Sequence, residues 1–188
     1  MNALQRIREF AAKRDPGERC ALCATALEGR HAHVVEATIG KLLCVCIGCA
    51  TVFDHPTGKF RRVRDRVARL AGFRMENDEW QSLGIPVGLA FFQKRSARGD
   101  VVAFYPSPLG AVESSVPADA WESMLRKDAA VESMEADVEA LLVRRAEGLI
   151  VPIDKCYELI GLIRREWRGF SGGDEIWPAV DRFFEGLA

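Results

Sequence analysis

Histidine is scarce in this chain, and it ends early: His31, His33 and His55 are the three. A nucleophile in the second half has no histidine close by in sequence to activate it, which argues against nucleophilic catalysis there. Thiols are equally localised, Cys156 being the single cysteine beyond residue 49. No apolar run approaches the roughly twenty residues that cross a bilayer, so a membrane helix is excluded. The first ten residues, Met1 to Phe10, lack an apolar core followed by a small-residue cleavage site. That absence leads us to expect a cytoplasmic chain whose cysteines stay reduced. Internal repeats and low-complexity tracts are missing too, and the cysteine pairs are the one element that recurs.

Those pairs are Cys20-x-x-Cys23 and Cys46-x-x-Cys49, with 22 residues between them. A C-x-x-C spacing sets two sulfurs on one tight turn facing the same point, and the intervening length suits a hairpin that returns the second pair to the first. Four converging thiolates make a tetrahedral metal site. A thioredoxin-like redox use would need the pair at a strand end within a βαβ pattern, which neither has. Zinc and a single rubredoxin-like iron both accept four sulfurs. Rubredoxin-type knuckles usually carry glycine after the second cysteine, where positive φ lets N–H groups approach sulfur; Ala24 and Ala50 stand there, which favours zinc. Cys44, on the same face of an extended segment as Cys46, is a possible substitute ligand, as are His31 and His33. A closed four-ligand site is structural, holding residues near 18–56 that are too few to bury a core of their own.

Charge is divided within a net value of −1. Through residue 75 there are 14 Lys and Arg against 7 Asp and Glu; beyond it, 12 against 20. The densest basic strip runs Lys59-Phe60-Arg61-Arg62-Val63-Arg64-Asp65-Arg66, followed by Arg69 and Arg74. Beside a zinc module such a strip suits nucleic acid. The preferred reading is that it packs against the acidic half or is a solvated face of alternating residues, because a chain near neutrality exerts little long-range pull on a polyanion.

Hydrophobic periodicity predicts an α+β chain in three parts: an N-terminal helix and four-cysteine module over 1–58, a basic connecting segment over 59–76, and an α+β domain over 77–188. A helix is expected over 3–14, ending at Asp15-Pro16-Gly17. The module follows as strands near His33–Ala37 and Lys41–Val45, a turn at Ile39-Gly40, and a helix from Ile47 to Phe53, an order like a treble clef more than a plain zinc ribbon. His55 reads as part of the turn that stops that helix. Then come a helix near Asn77–Leu83, a hairpin of Val87–Lys94 and Asp100–Tyr105 stopped at Pro106-Ser107-Pro108, and a helix from Pro117 or Asp119. Residues 137–145 fit a strand or a helix, and the strand is preferred because Val138, Leu141, Leu142 and Val143 can complete the sheet. Ile153, Cys156, Tyr157, Ile160, Ile163 and Trp167 mark one C-terminal helix; Ile176, Trp177, Val180, Phe183, Phe184 and Leu187 mark another, capped by Asp174. Both are expected to cover one face of a small antiparallel sheet.

Nothing in the second half reads as catalytic. Cys156 falls in a first helical turn, where the dipole favours a thiolate, but it lies on the apolar stripe and reads as core. Ser107, Ser114 and Ser115 lack a nucleophile-elbow pattern. Glu113, Asp119, Glu132, Glu135 and Asp137 form no motif, and Gly172-Gly173 lacks phosphate-loop spacing.

Five segments carry a family resemblance: Glu18-Arg19-Cys20-Ala21-Leu22-Cys23, Leu43-Cys44-Val45-Cys46-Ile47-Gly48-Cys49, Ile85-Pro86-Val87-Gly88-Leu89-Ala90-Phe91-Phe92, Val102-Ala103-Phe104-Tyr105-Pro106-Ser107-Pro108 and Val151-Pro152-Ile153-Asp154-Lys155-Cys156-Tyr157-Glu158-Leu159. Together they resemble a bacterial family encoded beside nickel-iron hydrogenase genes, notably of the actinobacterial type. The resemblance covers nearly the whole chain and carries no catalytic residues. It implies a non-enzymatic accessory protein whose partner is a hydrogenase subunit or a maturation factor. Two other functions fit the residues: a rubredoxin-like iron electron carrier, and a nucleic-acid-binding regulator using Arg61, Arg62, Arg64 and Arg66.

Overall fold

Central strands that are apolar on both sides, such as Leu89-Ala90-Phe91-Phe92 and Ala140-Leu141-Leu142-Val143, must be covered from both sides, and this requirement organises the larger part of the chain. The computed structural model describes residues 17–55, 57–107, 110–145, 147–166 and 176–187. The expected helix over 3–14, the cap at Asp174, Trp167 and the pair Gly172-Gly173 lie outside the described residues.

The first sheet has three strands, β1 (Ala32–Glu36), β2 (Lys41–Val45) and β3 (Phe60–Arg62), in the antiparallel order β2-β1-β3. Its hairpin turns at Ile39 and Gly40, where Gly40 takes φ +65° and its N–H donates to the Glu36 carbonyl at 2.9 Å. Helix α1 (Ile47–Val52) follows β2.

The second sheet has six strands: β4 (Ala68–Leu70), β5 (Leu89–Arg95), β6 (Asp100–Ser107), β7 (Gly110–Ser115), β8 (Glu139–Arg144) and β9 (Glu147–Pro152). They pair antiparallel throughout, in the order β4-β9-β8-β5-β6-β7. Four helices of this part are α2 (Asn77–Ser82), α3 (Ala118–Lys127), α4 (Ala129–Glu132) and α5 (Ile153–Glu166), and α6 (Trp177–Glu185) closes the chain. Leu89, Phe91, Leu142, Leu149 and Val151 meet Cys156, Leu159 and Ile163 of α5 and Val180 and Phe184 of α6. From the opposite face Ala90, Phe92, Leu141, Val143 and Ile150 meet Phe73, Trp80, Met124, Val131 and Met134.

This corrects the expectation of a small sheet with helices on one face. The C-terminal helices do cover one face, and α2, α3 and α4 cover the other. Pro106 does not end β6 either. The pairing of β6 with β5 finishes at Phe104, so a residue without an N–H costs no ladder bond to β5, and β6 continues with Pro106 opposite Ala111 of β7.

The basic strip splits between the two sheets: Phe60–Arg62 is β3 and Ala68–Leu70 is β4. Arg61, Arg66 and Arg69 reach the acidic half, the first of the two preferred arrangements, while Arg64 pairs with Asp54 at 2.6 Å. Arg61 lies 2.7 Å from Glu135 and 3.7 Å from the buried Asp137, Arg66 grips both oxygens of the buried Glu139 at 3.1 and 3.0 Å, and Arg69 pairs with Glu147. Val35 and Leu42 of the first sheet, with Val63, also pack into the cluster under α5, so the module and the domain share a seam.

Gly148 in β9 is pressed beneath Phe73, whose ring carbon would lie 2.5 Å from an added Cβ. Replacing Gly148 by Ala must displace that buried ring, and we expect a loss of about 1–3 kcal/mol in denaturant-unfolding free energy.

Candidate metal centre

The module's own apolar core is small. Its separate core comprises Cys20, Val34, Val45 and Ala50, flanked by half-buried side chains such as Leu27 and Phe60. Around Cys20 the chain folds into a knuckle. Arg19 and Ala26 form an isolated antiparallel bridge, Cys20 N–H donates to the Thr25 carbonyl at 2.8 Å, and Ala24 N–H donates to the Cys20 carbonyl at 2.8 Å. Ala24 takes φ +62°, the left-handed conformation that glycine adopts more easily. The knuckle therefore forms without its usual glycine. Ala21 N–H donates to the Cys44 carbonyl at 2.9 Å and fixes the knuckle to the end of β2.

The second pair is held differently. Cys46 is the N-cap of α1, and its sulfur accepts from Cys49 N–H at 3.4 Å. A soft acceptor placed there meets one of the donors that a helix start leaves unpaired. Ala50, after the second cysteine, is inside the helix and buried, so only one of the two pairs sits on a left-handed knuckle.

Cys20, Cys23, Cys46 and Cys49 converge, their sulfurs all within 4.8 Å of one another. Cys23 Sγ and Cys46 Sγ stand 3.7 Å apart. Sulfurs about 2.3 Å from one ion at tetrahedral angles are roughly 3.8 Å apart, whereas a disulfide requires about 2.05 Å. The geometry fits a structural tetrahedral ion, zinc or iron.

Electrostatics point the same way. Burial opposes ionisation of Cys20, but N–H groups of Cys46, Cys23 and Leu22 outweigh it and bring the thiol down to about 6. The Thr25 hydroxyl and N–H lower Cys23 from the ordinary thiol value. Burial, then the neighbouring sulfurs of Cys23, Cys46 and Cys20, push Cys49 up to about 12. A cation at the centre of such a set would favour the thiolate at every member, Cys49 included.

The other residues singled out from sequence lie elsewhere. Cys44, His31 and His33 form a separate group on the hairpin, away from the four sulfurs. The chain turns at Cys46 out of β2 into α1, so Cys44 and Cys46 part company despite their matching parity. Burial, followed by the Glu18 carboxylate, pushes Cys44 up to about 11. His55 belongs to a turn, its carbonyl accepting from Gly58 N–H at 2.9 Å and its Nδ1 from Thr57 N–H at 3.3 Å. Cys156 is wholly buried on α5, where burial and Asp154 hold its thiol well above the ordinary value. Sequence reasoning missed Thr25, which contacts Cys23 Sγ at 3.3 Å, and named Glu18 and Asp154 within the segments of the family resemblance without giving them a role here; nothing local marks any of the three.

A model of a family of unknown function, DUF5947, matches residues 19–188. No curated protein and no solved structure matches.

Replacing Cys23 by Ser, or chelating the metal, should release residues near 18–56 while leaving the second sheet folded. Hydrogen exchange would show protection lost over β1, β2 and α1 and retained over β5, β8 and β9; equal loss in both parts would contradict a module-specific role.

Proposed function

The chain belongs to the DUF5947 family of unknown function, and we propose that it is a cytoplasmic zinc-binding accessory protein that works by docking and performs no catalysis of its own. The observation that carries this reading is the four-sulfur cluster, drawn from a knuckle and a helix start, with a 3.7 Å separation between its halves. The order knuckle, hairpin, helix is that of a treble clef, and the second pair's seat on α1 departs from a two-knuckle rubredoxin arrangement, which supports zinc. A closed set of four sulfurs leaves no position for substrate, which supports a structural role.

The docking role is supported by the module's own surface. Ile47, Val52 and Phe53, on α1 and at its end, are 61%, 76% and 46% exposed. A set of large apolar side chains on a short, metal-fixed helix suits a protein partner. The resemblance seen in the sequence to proteins encoded beside nickel-iron hydrogenases makes that partner a hydrogenase subunit or maturation factor, with assembly or maturation as the process assisted. The nucleic-acid reading has less support, since Arg61 and Arg66 are engaged with carboxylates.

One observation favours a second reading, an iron electron carrier: Cys23 is exposed, giving an electron a short path into the cluster. Colour separates the two. Protein purified anaerobically should contain zinc and absorb no visible light, whereas a ferric tetrathiolate would be coloured and would turn the assignment to electron transfer. For docking, co-purification with tagged hydrogenase subunits or maturation factors should fall at least about tenfold in an Ile47→Asp/Val52→Asp variant that keeps its metal. Undiminished recovery would move the interface elsewhere, and no recovery of any such partner with the unaltered chain would remove the hydrogenase role.

A further inference from the structure

The three side chains that sequence offers as substitutes for a cysteine ligand have a geometry of their own. His31 precedes β1 and His33 lies within it, two residues apart on an extended chain, so both project to one face. Cys44 of β2 stands directly opposite His33 in the register. One ligand atom from each of the three lies within 4.8 Å of the other two. The imidazoles meet edge to face, with centroids 4.9 Å apart and planes at 61°.

Hydrogen bonds settle the tautomers. His31 Nδ1 is 3.0 Å from the Glu28 carbonyl, which can only accept, so Nδ1 carries the proton and Nε2 a lone pair. His33 Nδ1 is 2.9 Å from Asp154 Oδ2, in the first turn of α5, with the same consequence. A backbone carbonyl and a carboxylate holding the far nitrogens of two histidines is the arrangement by which proteins orient imidazoles toward a metal. Among the described residues His31 Nε2 is buried without a hydrogen-bond partner, on a side chain only 9% exposed. A buried acceptor left unmet is costly, and an ion would meet it. Glu18 Oε2 lies 3.8 Å from that nitrogen, too far for a hydrogen bond and close to the separation of two ligands on one tetrahedral ion. The same carboxylate stands beside Cys44.

The geometry points to a second metal site, separate from the four sulfurs, in which His31, His33 and Cys44 bind a first-row divalent transition-metal ion and Glu18 supplies the fourth donor. Two imidazoles, a thiolate and a carboxylate suit ions of intermediate softness, zinc, cobalt or nickel, and not calcium or magnesium. Cys44, His33 and Asp154 also have the parts of a nucleophile, base and orienting acid. That reading gives no task to His31, whose unmet nitrogen is the strongest feature of the group. His31 and His33 line an open groove of about 1260 Å³ between the module and α5, with Arg62, Asp65, Lys155 and Glu158 on its walls. The second ion is thus reachable from solvent, and a replaceable carboxylate ligand makes it exchangeable.

The test is cobalt(II) titration of the metal-stripped, reduced full-length chain, followed by visible spectra and elemental counting after desalting. The unaltered chain should take up two ions, one with the intense charge-transfer bands of four thiolates and one with weaker bands from a single thiolate. His31→Ala and His33→Ala should each retain the first and lose the second. Asp154→Asn keeps every ligand and guards against a folding defect; it should weaken the second ion about 10–100-fold and leave the first unchanged. A single ion with four-thiolate bands in the unaltered chain overturns the proposal, as does second-ion affinity unmoved by both His31→Ala and Asp154→Asn. Loss of the four-thiolate bands with the second ion retained would instead strike at the structural site.

Discussion

Four sulfur atoms must be brought from two chain segments to within bonding distance of one point, and the N-terminal part of the protein is built around that requirement. The knuckle at Cys20–Thr25 and the start of α1 approach each other only because the β1–β2 hairpin carries the chain out and back, and because Ala21 is bonded to the carbonyl of Cys44 at the hairpin's end. Burial first, and then the neighbouring sulfurs, disfavour a thiolate at Cys49. A central cation would offset that cost and tie together a segment whose own apolar core is only a few small side chains.

The same hairpin serves the larger domain from its other face. Val34 and Val45 point to the sulfur side, while Val35 and Leu42 enter the cluster beneath α5. Arg61 and Arg66, leaving β3, reach Asp137 and Glu139, whose burial would be unfavourable without a cation or hydrogen-bond donors nearby. Asp137 is further held by the N–H and hydroxyl of Ser96, and Glu139 by the N–H of Glu135. Whatever orders the hairpin is therefore felt at the seam, and His33, bonded to Asp154 across it, joins the module directly to α5.

Much of this was legible in the residues. Paired cysteine spacing announces two turns that share a ligand centre, and the strands at Ala32–Glu36 and Lys41–Val45 follow from alternation around a glycine turn. Residues 139–144 form the strand expected there, and the apolar stripe of α5 was visible as Ile153, Cys156, Ile160 and Ile163. Other elements were not legible. Strands β3 and β4 are three residues each and carry arginines, so composition reads them as a solvated strip. Strand β7 follows two prolines that look like a terminator, and its outward Glu113 and Ser115 give a weak apolar signal.

The sequence by itself determined the local chemistry: which residues can grip a soft ion, where the chain must turn, and which helix faces must be covered. Spacing and periodicity act over a few residues, and these properties reside there. Tertiary structure alone decided that helices flank both faces of the second sheet, that the basic strip closes on acidic residues more than seventy positions away, and that His31, His33 and Cys44 gather under Asp154 and beside Glu18. Contacts between residues 33 and 154 leave no periodic trace in a linear pattern, because the register of a hairpin and the seat of a helix on it are set by packing that no short segment contains.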